Sequence, residues 1–236
     1  MGHEETCTEI FKGHPVRGVL DFCATVHEPP DMIRNDIKRM VAEGYDRIAD
    51  EYFEQFGQSS VRAAKLAALI AKLPERATVL DLGCGAGEPV AREFVTHGFR
   101  VTGVDVSLGQ IERARGNVPE ATFIHTDMTS VQFPAETFDA VSAFYSITHV
   151  PRNEHAALVQ RIATWLRPSG LFVASFGSSE GDWLGEWLGM PMFFSHHDPE
   201  ETKRLINDAG LRLEQVELVE QDNEKATFLW IAARKS

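Results

Sequence analysis

The chain has 236 residues, 43% of them hydrophobic, with 35 Asp and Glu against 23 Lys and Arg, for a net charge of −12 at pH 7. That length suits one domain with a full core and room for an appended lid. An acidic chain without a Lys/Arg cluster lacks the footprint that phosphates need, which speaks against DNA or RNA as substrate. No apolar run approaches a membrane span, and the acidic N-terminus has no signal-type apolar core. Cys7, Cys23 and Cys84 form neither a metal-type pair nor an even disulfide set, so a cytoplasmic protein without a metal is expected.

Residues 1–30 carry apolar residues at mixed spacing up to Pro29-Pro30 and read as an arm of undefined structure: a disordered tail, a packed strap or a dimer contact. From Asp31, placed to cap a helix, Ile33, Ile37, Met40, Val41, Tyr45, Ile48, Tyr52 and Phe56 recur at three- and four-residue steps, one face of a helix. Gly44 in its middle suggests a break or hinge. Ser60–Leu73 is a second amphipathic helix, stopped by Pro74, so 31–75 is expected to be a pair of helices beside a domain over 76–236. There, Thr78–Leu82 has the apolar, β-branched composition of a buried parallel strand. Gly83, Gly85 and Gly87 follow, and Pro89 sits where a first helical turn tolerates a missing N–H. A nicotinamide site would be spaced G-x-G-x-x-G and offer a helix N-terminus to a pyrophosphate. Here the glycines alternate, with Asp81 before them and Glu88 after, and such acids repel phosphate and attract a cation or ammonium. Val101–Val106 is the second strand, ending in Asp105, an acid placed to accept from a ribose diol.

Asp81-x-Gly83-x-Gly85-x-Gly87 followed by Asp105 resembles the signature of the class I S-adenosylmethionine-dependent methyltransferases, in their small-molecule branch. The resemblance runs over about residues 40–236 by order of elements. It implies a doubly wound α/β fold: a mostly parallel seven-stranded, Rossmann-like sheet ending in an antiparallel hairpin. It implies S-adenosyl-L-methionine as cofactor, a molecule with a sulfonium, an ammonium and no phosphate. It assigns to that cofactor Asp81, Gly83, Cys84, Gly85 and Gly87 around the loop, and Asp105, Val106, Gln110 and Phe144 around the ribose and ring. Tyr-Asp-x-x-Ala-x-x-Tyr at Tyr45–Tyr52 resembles the segment that such enzymes fold over the cofactor, although ordinary core aromatics would read the same way. Asp127 and Met128, closing the third strand Ala121–His125, match the pair that meets adenine; an acid in an ordinary strand-end turn is the alternative.

Ser107 caps the helix that runs to Arg115. Phe138–Phe144 is strand four, whose carboxyl end is the switch point where open α/β sheets bind ligands. Tyr145 and His149 follow at once. Asn153–Leu166 is a helix and Leu171–Phe176 strand five. Gly177–His197 is then too long for an ordinary connection. Its Trp183, Trp187, Met192 and Phe194 read as a substrate-pocket wall, or as a hydrophobic dimer contact. Asp198 caps a last helix, and Leu213–Val219 and Ala226–Ala233 form the closing hairpin around the polar turn Glu220–Lys225. A thiol, amine or phenol acceptor needs a base. His149 leads, with His196 and His197 as the other catalytic candidates, each against a structural imidazole. A dehydrogenase of the same architecture would pair Tyr-x-x-x-Lys, whereas Tyr45, Tyr52 and Tyr145 have Ala49, Phe56 and His149 at that offset. The expected function is methyl transfer to an O, N or S atom of a small molecule. A non-catalytic cofactor-binding subunit and a cofactor-dependent rearrangement or cyclisation enzyme are the alternatives.

Overall fold

A computed structural model describes residues 34–222 and 226–236. The expectations for residues 1–30 and for an Asp31 cap lie outside the described residues. Seven strands form one sheet: β1 (Thr78–Leu82), β2 (Arg100–Asp105), β3 (Thr122–His125), β4 (Phe138–Ala143), β5 (Leu166–Gly177), β8 (Leu211–Glu220) and β9 (Thr227–Lys235). Their order is β3-β2-β1-β4-β5-β9-β8, and β9 alone runs antiparallel to its neighbours. The sheet is the expected one, with the connections reversing direction between β1 and β4.

Side chains of β1 alternate between the two layers that cover it. Leu80 and Leu82 enter the cluster with α5 (His155–Trp165) and α6 (Pro199–Asp208). Val79 enters the opposite cluster with α2 (Ser60–Ile70), α3 (Val90–Thr96) and α4 (Leu108–Asn117). By the two-residue period of a strand, Asp81 therefore falls on the α2 side, in a position that would otherwise bury a hydrophobe. Ser59 and Ser107 cap α2 and α4 with their hydroxyls, and Asp198 caps α6.

Two features depart from expectation. The first helix, α1 (Arg34–Phe56), passes through Gly44 without a break. Gly44 answers a packing demand: a Cβ there would lie 2.8 Å from Met192 Cε, so its absence lets the helix lie against the segment that carries Met192. That segment is no loop. Gly181–Trp187 (β6) and Met190–His196 (β7) form a two-stranded antiparallel hairpin turned at Leu188-Gly189, both with positive φ, as a tight two-residue hairpin requires. Ile37, Val41, Ile48 and Phe56 of α1 and Trp187, Met192, Phe193 and Phe194 of the hairpin make a third core of their own. The aromatic stretch thus finds its partner within the chain.

Candidate functional site

A cavity of about 1120 Å³ including its mouth opens at the carboxyl ends of β1, β2 and β4. Gly83 begins its floor with φ +73; a Cβ there would run into the Ser146 side chain, so only glycine turns the chain here. Asp81 is 2% exposed and accepts a hydrogen bond from Ser142 Oγ at 2.7 Å, its register partner on β4. Burial pushes its pKa up to about 7, with the nearby Asp105 adding to the rise, against Ser142 and Arg62. Asp105 receives the backbone N–H groups of Gly85 and Ser107, each at 2.9 Å, which tie the glycine loop and the α4 cap to the end of β2. Burial raises its pKa as well, opposed by those N–H groups.

The cofactor residues expected from the motif line this cavity, Gly87 excepted: Tyr45 and Tyr52 on one wall, Val106, Gln110, Met128 and Phe144 on others. Gly87 instead lies against Val118, Phe123 and Ala114, where the chain passes close to α4. Cys84 lines the cavity, but burial pushes its thiol well up, so it stays protonated. Asp127 also faces in, yet its carboxylate is engaged by Lys38 Nζ and Thr129 Oγ1, both at 2.6 Å, and by the Thr129 N–H at 2.8 Å. Partial burial would raise its pKa, but these donors outweigh it and hold it low. An amino group arriving at Asp127 would share it with Lys38.

His149 is 8% exposed and uses both ring nitrogens. Nδ1 lies 2.8 Å from the Phe193 carbonyl, which can only accept, so Nδ1 carries the hydrogen. Nε2 is then the acceptor for the Tyr45 hydroxyl, also at 2.8 Å. Burial pushes the imidazole pKa down to about 4, against the Phe193 bond. The ring stays neutral near pH 7 and lines the cavity beside Tyr45. The other two histidines are not at the cavity. His196 packs its ring against Gly177, and His197 Nε2 lies 2.9 Å from the Arg152 carbonyl. Neither lines this cavity. Of the expected substrate residues, Tyr145 lines the cavity, with φ +57 where β4 turns and its N–H held by Ser175 Oγ. Trp187 and Phe194 line a smaller chamber beside it. Trp183 and Met192 line neither: they pack on Phe194 and against Gly44.

Two charged cavity residues escaped sequence reasoning. Lys38 bridges Asp127 and Glu154, the latter at 2.9 Å, from α1. Arg62 is 5% exposed, donates to the carbonyls of Phe56 and Gly57, and has no hydrogen-bond partner for Nε among the described residues. Its sequence signal was available: a lone charge in line with Leu66 and Leu69 on the buried face of α2.

The family model described as a methyltransferase domain matches residues 53–216. The chain belongs to the methyltransferase-domain family. It is 29% identical over 152 residues to the 27-O-demethylrifamycin SV methyltransferase of Amycolatopsis mediterranei, an alignment covering 55% of each chain. It is 37% identical over 119 residues to the trans-aconitate 2-methyltransferase of Enterobacter, covering 50% of this chain and 46% of that one. The chain thus spans about half the length of these curated relatives. Among solved structures, the 1,6-didemethyltoxoflavin-N1-methyltransferase of Burkholderia thailandensis superposes with a TM-score of 0.71 at 21% identity, covering 89% of this chain and 94% of that one. The [4+2]-cyclase SpnF superposes at 0.66 with 19% identity, covering 84% and 96%. Both show a shared fold, so chemistry must be read from the site.

The family's cofactor, S-adenosyl-L-methionine, fits what lines this cavity. Asp81, a buried carboxylate without a cationic hydrogen-bond partner among the described residues, suits an ammonium. The buried Arg62 guanidinium, with its Nε orphaned, suits a carboxylate. Asp105, at the end of β2, suits a diol.

Proposed function

We propose that this protein transfers a methyl group from S-adenosyl-L-methionine to a small-molecule acceptor. The observation that carries this is the buried Asp81 beside the glycine loop, an acid with a raised pKa that a cation would relieve. Bound in the cavity, the cofactor supplies an electrophilic methyl group on a sulfonium. Asp81, Arg62 and Asp105 hold its charged and hydroxyl groups, and the apolar walls from Val106, Met128 and Phe144 exclude water. Tyr45 presents the hydroxyl that meets an acceptor. His149 orients that hydroxyl and draws on its hydrogen, so a proton leaving the acceptor passes to Tyr45 Oη as the Tyr45 proton moves toward His149 Nε2. His149 is thus a positioning residue that acts through Tyr45. The net charge of −12 supports an acceptor other than nucleic acid, and the cysteine usage supports a cytoplasmic setting. Among the described residues no helix is long and apolar enough to cross a membrane.

Calorimetry tests the proposal. S-adenosylhomocysteine should bind the purified chain and NAD should not. Tight NAD binding, or none by S-adenosylhomocysteine, would overturn it.

A further inference from the structure

Adjoining the main cavity is a smaller, half-open chamber of about 310 Å³ including its mouth, and Tyr45, Tyr52, Tyr145 and His149 line both. Its remaining sides are mostly aromatic. Trp187 stacks on Phe56 with centroids 5.7 Å apart and stands edge-on to Phe194 at 5.8 Å and to Tyr45 at 6.1 Å. No acidic side chain and no Lys or Arg lines it among the described residues. Two polar groups stand out, the Tyr145 hydroxyl and the Gln221 side chain, both buried without a hydrogen-bond partner among the described residues. Gln221, 8% exposed, lines the chamber with its Oε1 buried and without a hydrogen-bond partner among the described residues. Its backbone is fixed, since its N–H donates to the Ala226 carbonyl at 2.8 Å across the end of the β8–β9 hairpin. A buried amide oxygen left unpaired is costly, and folded chains rarely keep one that nothing fills.

We propose that this chamber is the acceptor subsite, and that it takes a flat aromatic molecule whose edge carries an N–H or O–H received by Gln221 Oε1. The proposal rests on the methyl-transfer function above and names its substrate class. Faces and edges of aromatic rings pair best with another ring, which the walls supply from several directions. A quaternary ammonium would also suit aromatic walls, but it has no hydrogen to give Gln221. A ring in the chamber lies beside Tyr45 and His149, which line the main cavity as well.

The test is calorimetry of the full chain with indole, N-methylindole and tetramethylammonium, each with and without saturating S-adenosylhomocysteine. Indole should bind roughly tenfold or more tightly than N-methylindole, because the methylated ring leaves Oε1 unpaired. In Gln221→Leu the gap should shrink to within about twofold, and Gln221→Glu, which keeps an acceptor oxygen, should preserve it. Should the leucine variant fail to fold, the wild-type gap and the glutamate variant still decide. Absent indole binding, equal binding of the two indoles, a gap that survives Gln221→Leu, loss of the gap in Gln221→Glu, or preference for tetramethylammonium would each overturn the assignment. Failure to bind S-adenosylhomocysteine falls on the methyl-transfer function instead, since the indole gap is also read without it.

Discussion

Asp81 and His149 show how one environment serves opposite ends. Both are buried, and burial penalises whichever form is charged, so the acid rises to about 7 while the imidazole falls to about 4. A ligand ammonium reaching Asp81 favours its ionised form. Binding S-adenosylhomocysteine at pH 7 should therefore release about half a proton, and affinity should climb as pH rises through 7. Calorimetry in buffers of different ionisation enthalpy reads that release directly. Asp81→Asn should abolish it and weaken binding by roughly 10–100-fold, the scale of a charged hydrogen bond. Binding without proton release in the wild type would place the ammonium elsewhere. For the Tyr45–His149 pair, Tyr45→Phe and His149→Ala should each lower turnover roughly 10²–10⁴-fold, and the double variant should be little worse than either. With His149 held neutral down to about 4, the rate should show no inflection near 6.5. Additive losses, or an acidic limb at 6.5, would separate the two residues.

At the scale of elements, α1 and the β6–β7 hairpin form a cap over the ends of the parallel strands. Packing joins them, and polar contacts tie α1 to the sheet domain. Asp46 accepts from the Ser107 hydroxyl and from the Gly109 N–H at 3.0 Å, and Lys38 reaches Asp127. Gly44 is the point of closest approach. Gly44→Ala should leave stability within about 0.5 kcal/mol, because up to about 1 kcal/mol of helix propensity offsets a small shift of the flexible Met192 end. Gly44→Leu has no such room, and should lower the melting temperature and cofactor affinity together. Chemical denaturation and calorimetry of both variants decide. If alanine were as damaging as leucine, Gly44 would be serving as a hinge and not as a contact.

The whole molecule carries a pH response that no single element explains. His149, His155 and His196 are all buried and pushed down to about 4, first by burial. Their folded pKa values lie below the unfolded value, so the stability they contribute is present above about 6.5 and lost as pH falls toward 4. Asp81 runs the other way: raised to about 7, it holds a proton in the folded chain that the unfolded chain gives up, and Asp105 shares that direction. Three histidines against one or two acids leave a net uptake of one to two protons on unfolding near pH 5.5. Stability should fall by about 1–3 kcal/mol per pH unit between 6.5 and 4.5. Urea midpoints across that range measure it, and a flat profile would mean that these imidazoles are wetter than their packing implies.

The sheet was legible from sequence because its signals are local. The strand β1, its glycines at every second position and the acid ending β2 each follow from residues adjacent in the chain, and the order of elements followed from them. Ser107 and Asp198 announced their helices in the same way, by a side chain that meets its own next turn. What tertiary structure decided was which distant groups meet. Gly44 read as a hinge because its partner, Met192, lies on an element 148 positions later in the chain. Gly177–His197 read as a loop because continuous aromatic runs hide the alternation of a hairpin buried on α1. His149 read as an open base because nothing near it in sequence reveals that Tyr45 and the Phe193 carbonyl claim its two nitrogens. Gln221, inside what read as a polar turn, gained its place only when the β8–β9 hairpin carried it to the aromatic chamber. Periodicity and caps are written along the chain, whereas burial, tautomer and pKa belong to groups that only folding brings together.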